Sequence, residues 1–331
     1  MNEFREVVAE FSLFFSRLKE ECDAVDRKFQ SIECRTAFVK EKEKQGVYGA
    51  ISNYFAKVWD LVKDYPNDDP CFLSCRDHLH QMIHRYICAG GLNNMVVDKP
   101  LGHAGDYLTI YHYFLDYSGE QTYEILINQY SRSIPVAVAH RNRIPLLMKE
   151  IEAQSRNGGD IMSIGCGPAI ELQRASCEPY FKGCNFTLFD VDERALDFVE
   201  AKLPENISNV ESFNSSVLGL LKLLARRKDQ GRQQDFIYCC GLYDYLGDRL
   251  AGLLLQSFYD NLKPGGKIMV TNVSSDVGDR GYFEFFAGWD LILRSDHDML
   301  ALARHCPAEA KCRVERDPDT GANLYLYLER Q

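Results

Sequence analysis

Ser163-Ile164-Gly165-Cys166-Gly167-Pro168-Ala169 is the stretch that decides the reading of this chain. It follows an apolar, strand-like run, about Asp160–Ile164, and opens a helical pattern, about Ala169–Ser176. In a strand-to-helix turn of this kind, glycines let the backbone approach a ligand closely. Pro168 suits the first turn of the helix that follows. The dinucleotide-binding fingerprint is not completed, because its third glycine would fall at Ile170. Taken alone, the loop is equally a plain tight turn, so its meaning rests on its surroundings.

Downstream, strands and helices alternate. Strands are predicted at about Asn185–Asp190, Val210–Phe213, Phe236–Cys240 and Lys267–Asn272, with helices at about Glu193–Leu203, Val217–Arg227 and Arg249–Leu262. Such alternation implies a parallel sheet covered on both faces. An aromatic helical section, about Tyr282–His305, follows. Two strand-like runs, Cys312–Arg316 and Leu324–Glu329, close the chain around a hairpin loop at Asp317-Pro318-Asp319-Thr320-Gly321. Upstream, residues 1 to about 95 carry helical periodicity, as in Phe4, Val7, Val8, Phe11, Phe14, Phe15 and Leu18. Helical patterns continue to about Glu152, and Asn157-Gly158-Gly159 is the boundary signal. The expected domains are a helical cap over 1–157 and a sheet domain over 158–331.

Further features surround the loop, and the first of them suits a ribose. The second strand ends Phe189-Asp190-Val191-Asp192, and a carboxylate at such a tip accepts bonds from ribose hydroxyls. The fourth strand runs into Gly241-Leu242-Tyr243-Asp244-Tyr245-Leu246. The fifth is preceded by Leu262-Lys263-Pro264-Gly265-Gly266-Lys267. From about Asp160 to Gln331 this order of elements resembles the class I S-adenosylmethionine (SAM)-dependent methyltransferases. The resemblance implies a Rossmann-like, seven-stranded α/β sheet whose last strand is antiparallel, here with an N-terminal α-helical cap.

A narrower resemblance, over roughly 96–331, is to the subgroup of bacterial 3-hydroxypalmitate methyl ester synthase, an enzyme of quorum-signal formation. It is carried by Lys99-Pro100-Leu101-Gly102-His103-Ala104-Gly105-Asp106-Tyr107, His140-Arg141-Asn142-Arg143, the Ser163–Ala169 loop, Gly241–Leu246 and Trp289–Arg294. Two departures stand out. Most class I relatives carry Asp or Glu two residues before the first glycine, where this chain has Ser163. The segment after Gly105-Asp106 is aromatic (Tyr107, Tyr111, Tyr113, Phe114, Tyr117) where the subgroup is methionine-rich.

The resemblance implies SAM as cofactor, with close backbone contact at Gly165, Cys166 and Gly167, the ribose on Asp190 beside Val191, and the adenine near Asn214 and Ser215. Ser163, Cys240 and Gly241 would lie at the methionine end. Tyr111, Tyr243 and Asn142 are the candidate catalytic residues, the tyrosines as an aromatic cage over a sulfonium. Asp106, Tyr107, Arg141, Arg143 and Trp289 are the candidate substrate contacts, the arginines for a carboxylate. Cys71, Cys75, His80 and His84 have helical spacing without a zinc-finger pattern, so no metal site is expected.

The expected activity is methyl transfer to a carboxylate or hydroxyl oxygen of a small secondary-metabolite or signal molecule. The alternatives are cyclisation of SAM to azetidine-2-carboxylate with release of methylthioadenosine, and a non-catalytic SAM-binding module. Composition agrees with a globular enzyme: 331 residues, 46% hydrophobic and 26% charged. A net charge of −10 argues against a nucleic-acid partner, which needs a positive field. No apolar run approaches the roughly 20 residues of a membrane span. The charged start, Met1-Asn2-Glu3-Phe4-Arg5-Glu6, is unlike a signal peptide, and the twelve cysteines show no framework spacing. Together these predict reduced thiols in a cytoplasmic protein acting on a small molecule, with the oligomeric state undetermined.

Overall fold

The structure is a computed structural model, and it describes residues 2–115, 119–154, 158–174, 181–205, 207 and 209–331. It divides into two units, one of residues 1–138 with 278–290 and the other of 139–277 with 291–331.

The first unit is helical: α1 (Asn2–Lys28), α2 (Ile32–Lys44), α3 (Val47–Asp60), α4 (Pro70–Ile87), α5 (Gly91–Asp98), α6 (Tyr107–Phe114) and α7 (Thr122–Ser133). On α1 the residues Phe4, Val8, Phe11, Phe15, Leu18 and Cys22 are buried, the three-and-four spacing of one helical face. Phe11 stacks on Phe15 and Tyr54 and meets Phe55 edge-on, at centroid distances of 4.6, 4.7 and 5.0 Å. Asp69 caps α4 ahead of Pro70 by accepting the Cys71 N–H. Gly281 begins a π-helical segment, Gly281–Phe286, that packs on α3. A Cβ there would lie 2.1 Å from the Phe55 carbonyl oxygen, so only glycine permits the approach.

The second unit begins within α8 (Pro135–Gln154), which continues through Pro145. It then alternates: β1 (Asp160–Ile164), α9 (Ile170–Gln173), β2 (Asn185–Asp190), α10 (Glu193–Glu200), β3 (Val210–Asn214), α11 (Val217–Asp229), β4 (Gln234–Cys239), α12 (Asp248–Asp260) and β5 (Leu262–Val273). α13 (Asp296–Leu302), β6 (Lys311–Arg316) and β7 (Asn323–Glu329) follow. The sheet order is β3-β2-β1-β4-β5-β7-β6. β1 to β5 pair in parallel, and β7 runs antiparallel between β5 and β6. The alternation and the closing hairpin are as expected. The order reverses between β1 and β4, the switch point where open α/β sheets hold their ligands.

The aromatic helical section expected over Tyr282–His305 is divided into the π-helical segment, an extended stretch, α13 and a short 3₁₀ turn, Ala303–His305. Gly288 has φ +62°, which ends the first piece. In the second unit, the Ile292 N–H donates to the Asp244 carbonyl and the Ile292 carbonyl accepts from Asn272 Nδ2, which holds this stretch extended. Asn157 and, in the helix expected at Ala169–Ser176, Ala175 and Ser176 lie outside the described residues. No described helix is long and apolar enough to cross a membrane.

Candidate functional site

At the tip of β1 the chain takes three left-handed residues in five: Gly165 (φ +61°), Gly167 (+51°) and Ala169 (+42°). The first two positions favour glycine; Ala169 carries a strain of roughly 1–2 kcal/mol that the surrounding bonds must offset. Those bonds run to β2. The Cys166 N–H donates to the Phe189 carbonyl (3.0 Å) and the Gly167 N–H to Asp190 Oδ2 (2.9 Å). Asp190 Oδ1 accepts from the Asp192 N–H at 3.0 Å. Burial raises the Asp190 carboxyl above its ordinary range, against the pull of these N–H donors.

The tip of β3 is fastened to the same point. The Ser215 N–H and Asn214 Nδ2 both donate to the Asp190 carbonyl, at 3.0 and 3.2 Å, and Nδ2 also to the Val191 carbonyl at 2.9 Å. Val191 leaves its apolar side chain exposed beside this knot. The structure thus brings Gly165, Cys166, Gly167, Asp190, Val191, Asn214 and Ser215 together.

On the other side of β1, Ser163 is buried and lies beside Tyr238 of β4 in the parallel register. The Tyr238 hydroxyl donates to Glu171 of α9 at 2.7 Å. Burial holds the Glu171 carboxyl above its usual range. Gly241, with φ +107°, follows Cys240 at the β4 tip, and a Cβ on it would sit 3.7 Å from Arg143 Nη1. Arg143 is 7% exposed, and its Nη1 has no hydrogen-bond partner among the described residues. Its charge is felt by Glu171, Cys240 and Asp244. A buried guanidinium nitrogen with no acceptor costs free energy unless an anion arrives.

Three further candidates have their side chains engaged or buried. Tyr243 is fully buried in the apolar cluster of Leu254, Leu255 and Phe258, so its ring is core and forms no cage. The short 3₁₀ turn Tyr243–Tyr245 sends Tyr243 inward and leaves Tyr245 exposed. Trp289 is buried in the helical unit and donates from Nε1 to the Val96 carbonyl at 3.1 Å. Asn142 commits its amide N–H groups to Asp317 and Asp319 of the β6–β7 hairpin, at 3.0 and 2.8 Å. Arg141 is half-buried.

In the helical unit, Asp106 caps α6 by accepting the Thr109 N–H, while its Oδ2 is buried without a partner among the described residues. Tyr107 and Tyr111 are half-buried on that helix, Tyr113 is buried, and Tyr117 lies outside the described residues. His80 of α4 bonds the Phe286 carbonyl and stacks on its ring.

Sequence reasoning missed Glu171, Tyr238 and two residues that shape the β4 loop. Asp244 is buried and accepts the Val273 N–H. Arg294 is 1% exposed and donates to the Tyr243 and Leu246 carbonyls, Asn272 and Asp248. Both lay within motifs quoted above, but their partners are distant in the chain.

No family model matches the chain. No curated protein matches it either. Among solved structures, it is similar to a possible exported protein from Bordetella parapertussis, with 16% identity over 81% of this chain and 99% of that one, at a TM-score of 0.57. A putative methyltransferase from Thermobifida fusca gives 13% identity over 67% and 93%, at 0.48. Magnesium protoporphyrin IX methyltransferase from Synechocystis, with bound S-adenosylhomocysteine, gives 11% over 60% and 86%, at 0.45. At such identities the likeness concerns the fold. By the order and direction of the seven strands among its described residues, the chain has the Rossmann-like class I methyltransferase fold, accompanied by an N-terminal helical unit.

Proposed function

We propose that this protein is a SAM-dependent enzyme that transfers a methyl group to an oxygen of a small molecule. The observation that carries the reading is the knot of β-strand tips, in which a glycine loop with open backbone, the Asp190 carboxylate and the Asn214–Ser215 turn are tied together. Asp190 has lone pairs left for ribose hydroxyls, and Val191 offers an apolar face to the adenine. Cys240 and Gly241 run beneath the methionine end, where Arg143 offers its unpartnered nitrogen to the carboxylate. The carboxylate of Asp190 and the unpartnered nitrogen of Arg143 fit SAM in charge and in hydrogen bonding.

SAM supplies a methyl group already mounted on a good leaving group. The protein's task is then alignment of acceptor and methyl, and exclusion of water. A carboxylate acceptor requires no general base, in keeping with the buried, bonded state of the nearby titratable groups. The subgroup resemblance around Lys99–Tyr107 and His140–Arg143 supports an oxygen acceptor in a signal or secondary metabolite.

A second reading, cyclisation of SAM with release of methylthioadenosine, draws on Ser163. A carboxylate at that position would keep the ligand's amine protonated, and an uncharged hydroxyl does not. Incubation with SAM, followed by mass spectrometry, separates the readings. S-adenosylhomocysteine formed only with an acceptor supports transfer; acceptor-free methylthioadenosine above the spontaneous rate supports cyclisation. Absence of SAM binding by calorimetry would overturn both.

A further inference from the structure

A cavity of about 740 Å³ opens at the end of the sheet opposite the glycine loop. It lies where the parallel strands begin, with Asp160 of β1, Asn185 of β2, Val210 of β3 and Gln234 of β4 in its wall. None of the residues assigned to SAM lines it.

Its charges are unevenly shared. Lys263 is satisfied, with Asp160 at 2.6 Å and Asp235 at 2.7 Å. Arg227 and Arg232 share a single carboxylate, Glu211, at 3.1 and 3.6 Å. Arg227 is buried, its Nη2 donates to Thr187 Oγ1, and its Nε has no partner among the described residues. Gln234, also buried in this wall, has an Oε1 in the same condition. The three cations and three carboxylates cancel overall, but two carboxylates hold Lys263, while two guanidinium groups on one half-exposed carboxylate leave the surplus positive charge at the arginine end.

We propose that this cavity binds a small, hydrophilic organic anion through a carboxylate or phosphate group seated on Arg227 and Arg232. A guanidinium fork matches both oxyanions in geometry. The volume falls in the range of small-ligand sites, roughly 300–1,000 Å³. The lining is largely polar; Asn209 is exposed at it to bond a polar body, while the Asn185 amide donates to Asp160 at 2.8 Å. The ligand would act at a distance from the glycine loop, and the proposal does not depend on the SAM reading.

Calorimetry on the full chain with pyrophosphate and with succinate, at ionic strength matched with chloride, tests this. Saturable one-to-one binding of one anion is expected, and the anion that binds distinguishes a phosphate from a carboxylate site. R232Q, a half-exposed position whose loss leaves the fold intact, should weaken binding tenfold or more. E211Q should tighten it severalfold, because both guanidinium groups lose their internal competitor; a purely structural role predicts no gain. SAM binding should be unchanged in both variants. Failure of both anions to saturate the wild-type chain would overturn the proposal. So would binding that neither variant alters. In either case the arginines serve only to anchor the end of α11.

Discussion

Asp244 offers a quantitative test of how the site is held. Its carboxylate is buried, accepts the Val273 N–H at 2.6 Å, and feels Arg143 and Arg294, yet burial wins and lifts its pKa from 3.8 to about 6. An acid whose folded pKa lies above its unfolded value favours the folded state while protonated, so this contribution is lost as pH rises from 3.8 to about 6. At about 1.36 kcal/mol per pH unit, the ionised form costs about 3 kcal/mol at neutral pH. About 2 kcal/mol of that falls between pH 4.5 and 7.5. Asp244→Asn keeps an oxygen for the Val273 N–H and removes the charge. Urea unfolding should show the variant more stable than wild type by about 2 kcal/mol more at pH 7.5 than at pH 4.5. The difference between the two proteins cancels the other titrating groups. An offset that is the same at both pH values would refute the argument, and would mean that the arginines fully compensate the carboxylate.

Asp190→Ala should weaken SAM binding about 10- to 100-fold by calorimetry, through loss of the ribose acceptor and of the Gly167 tether. Gly165→Val places a β-branched residue at φ +61° and should abolish SAM binding with the circular dichroism spectrum retained. Arg143→Met should raise the Kd of SAM tenfold or more while leaving methylthioadenosine, which lacks the amino-acid end, unaffected. At Tyr111, a cage role predicts a small activity loss for Phe and a large one for Leu with melting temperature unchanged; a core role predicts that Leu lowers the melting temperature while turnover per folded molecule persists.

The sheet was legible because its strands are short apolar runs between turn signals, and because the glycine loop marks the β1 tip. The partition of the chain was less so. The 278–290 segment belongs to the helical unit although it lies beyond β5 in sequence. Tyr282, Phe283, Phe285, Phe286 and Trp289 are all buried there, and that density of aromatics reads as a single helix in one dimension. What breaks it is a glycine at φ +62° followed by long-range pairing of Asp244 and Asn272 with Ile292, which no local pattern encodes.

At the site, backbone geometry was readable and side-chain direction was not. Glycine positions announce left-handed turns, so Gly165, Gly167 and Gly241 could be placed from residue type alone. Tyr243 and Tyr245 are equivalent in sequence, and a two-residue offset in a 3₁₀ turn sends one into the core and the other to solvent. Arg143 shows the same limit from the other direction. Its neighbours suggested carboxylate recognition, but the argument for it is three-dimensional. Glu171 and Asp244 both feel its charge, and burial still raises both of them above the usual carboxylate range. Neither carboxylate reaches the guanidinium as an ion pair among the described residues. The buried positive charge is left with an unpartnered donor beside a glycine that adds no side chain, and on our reading an incoming carboxylate completes it.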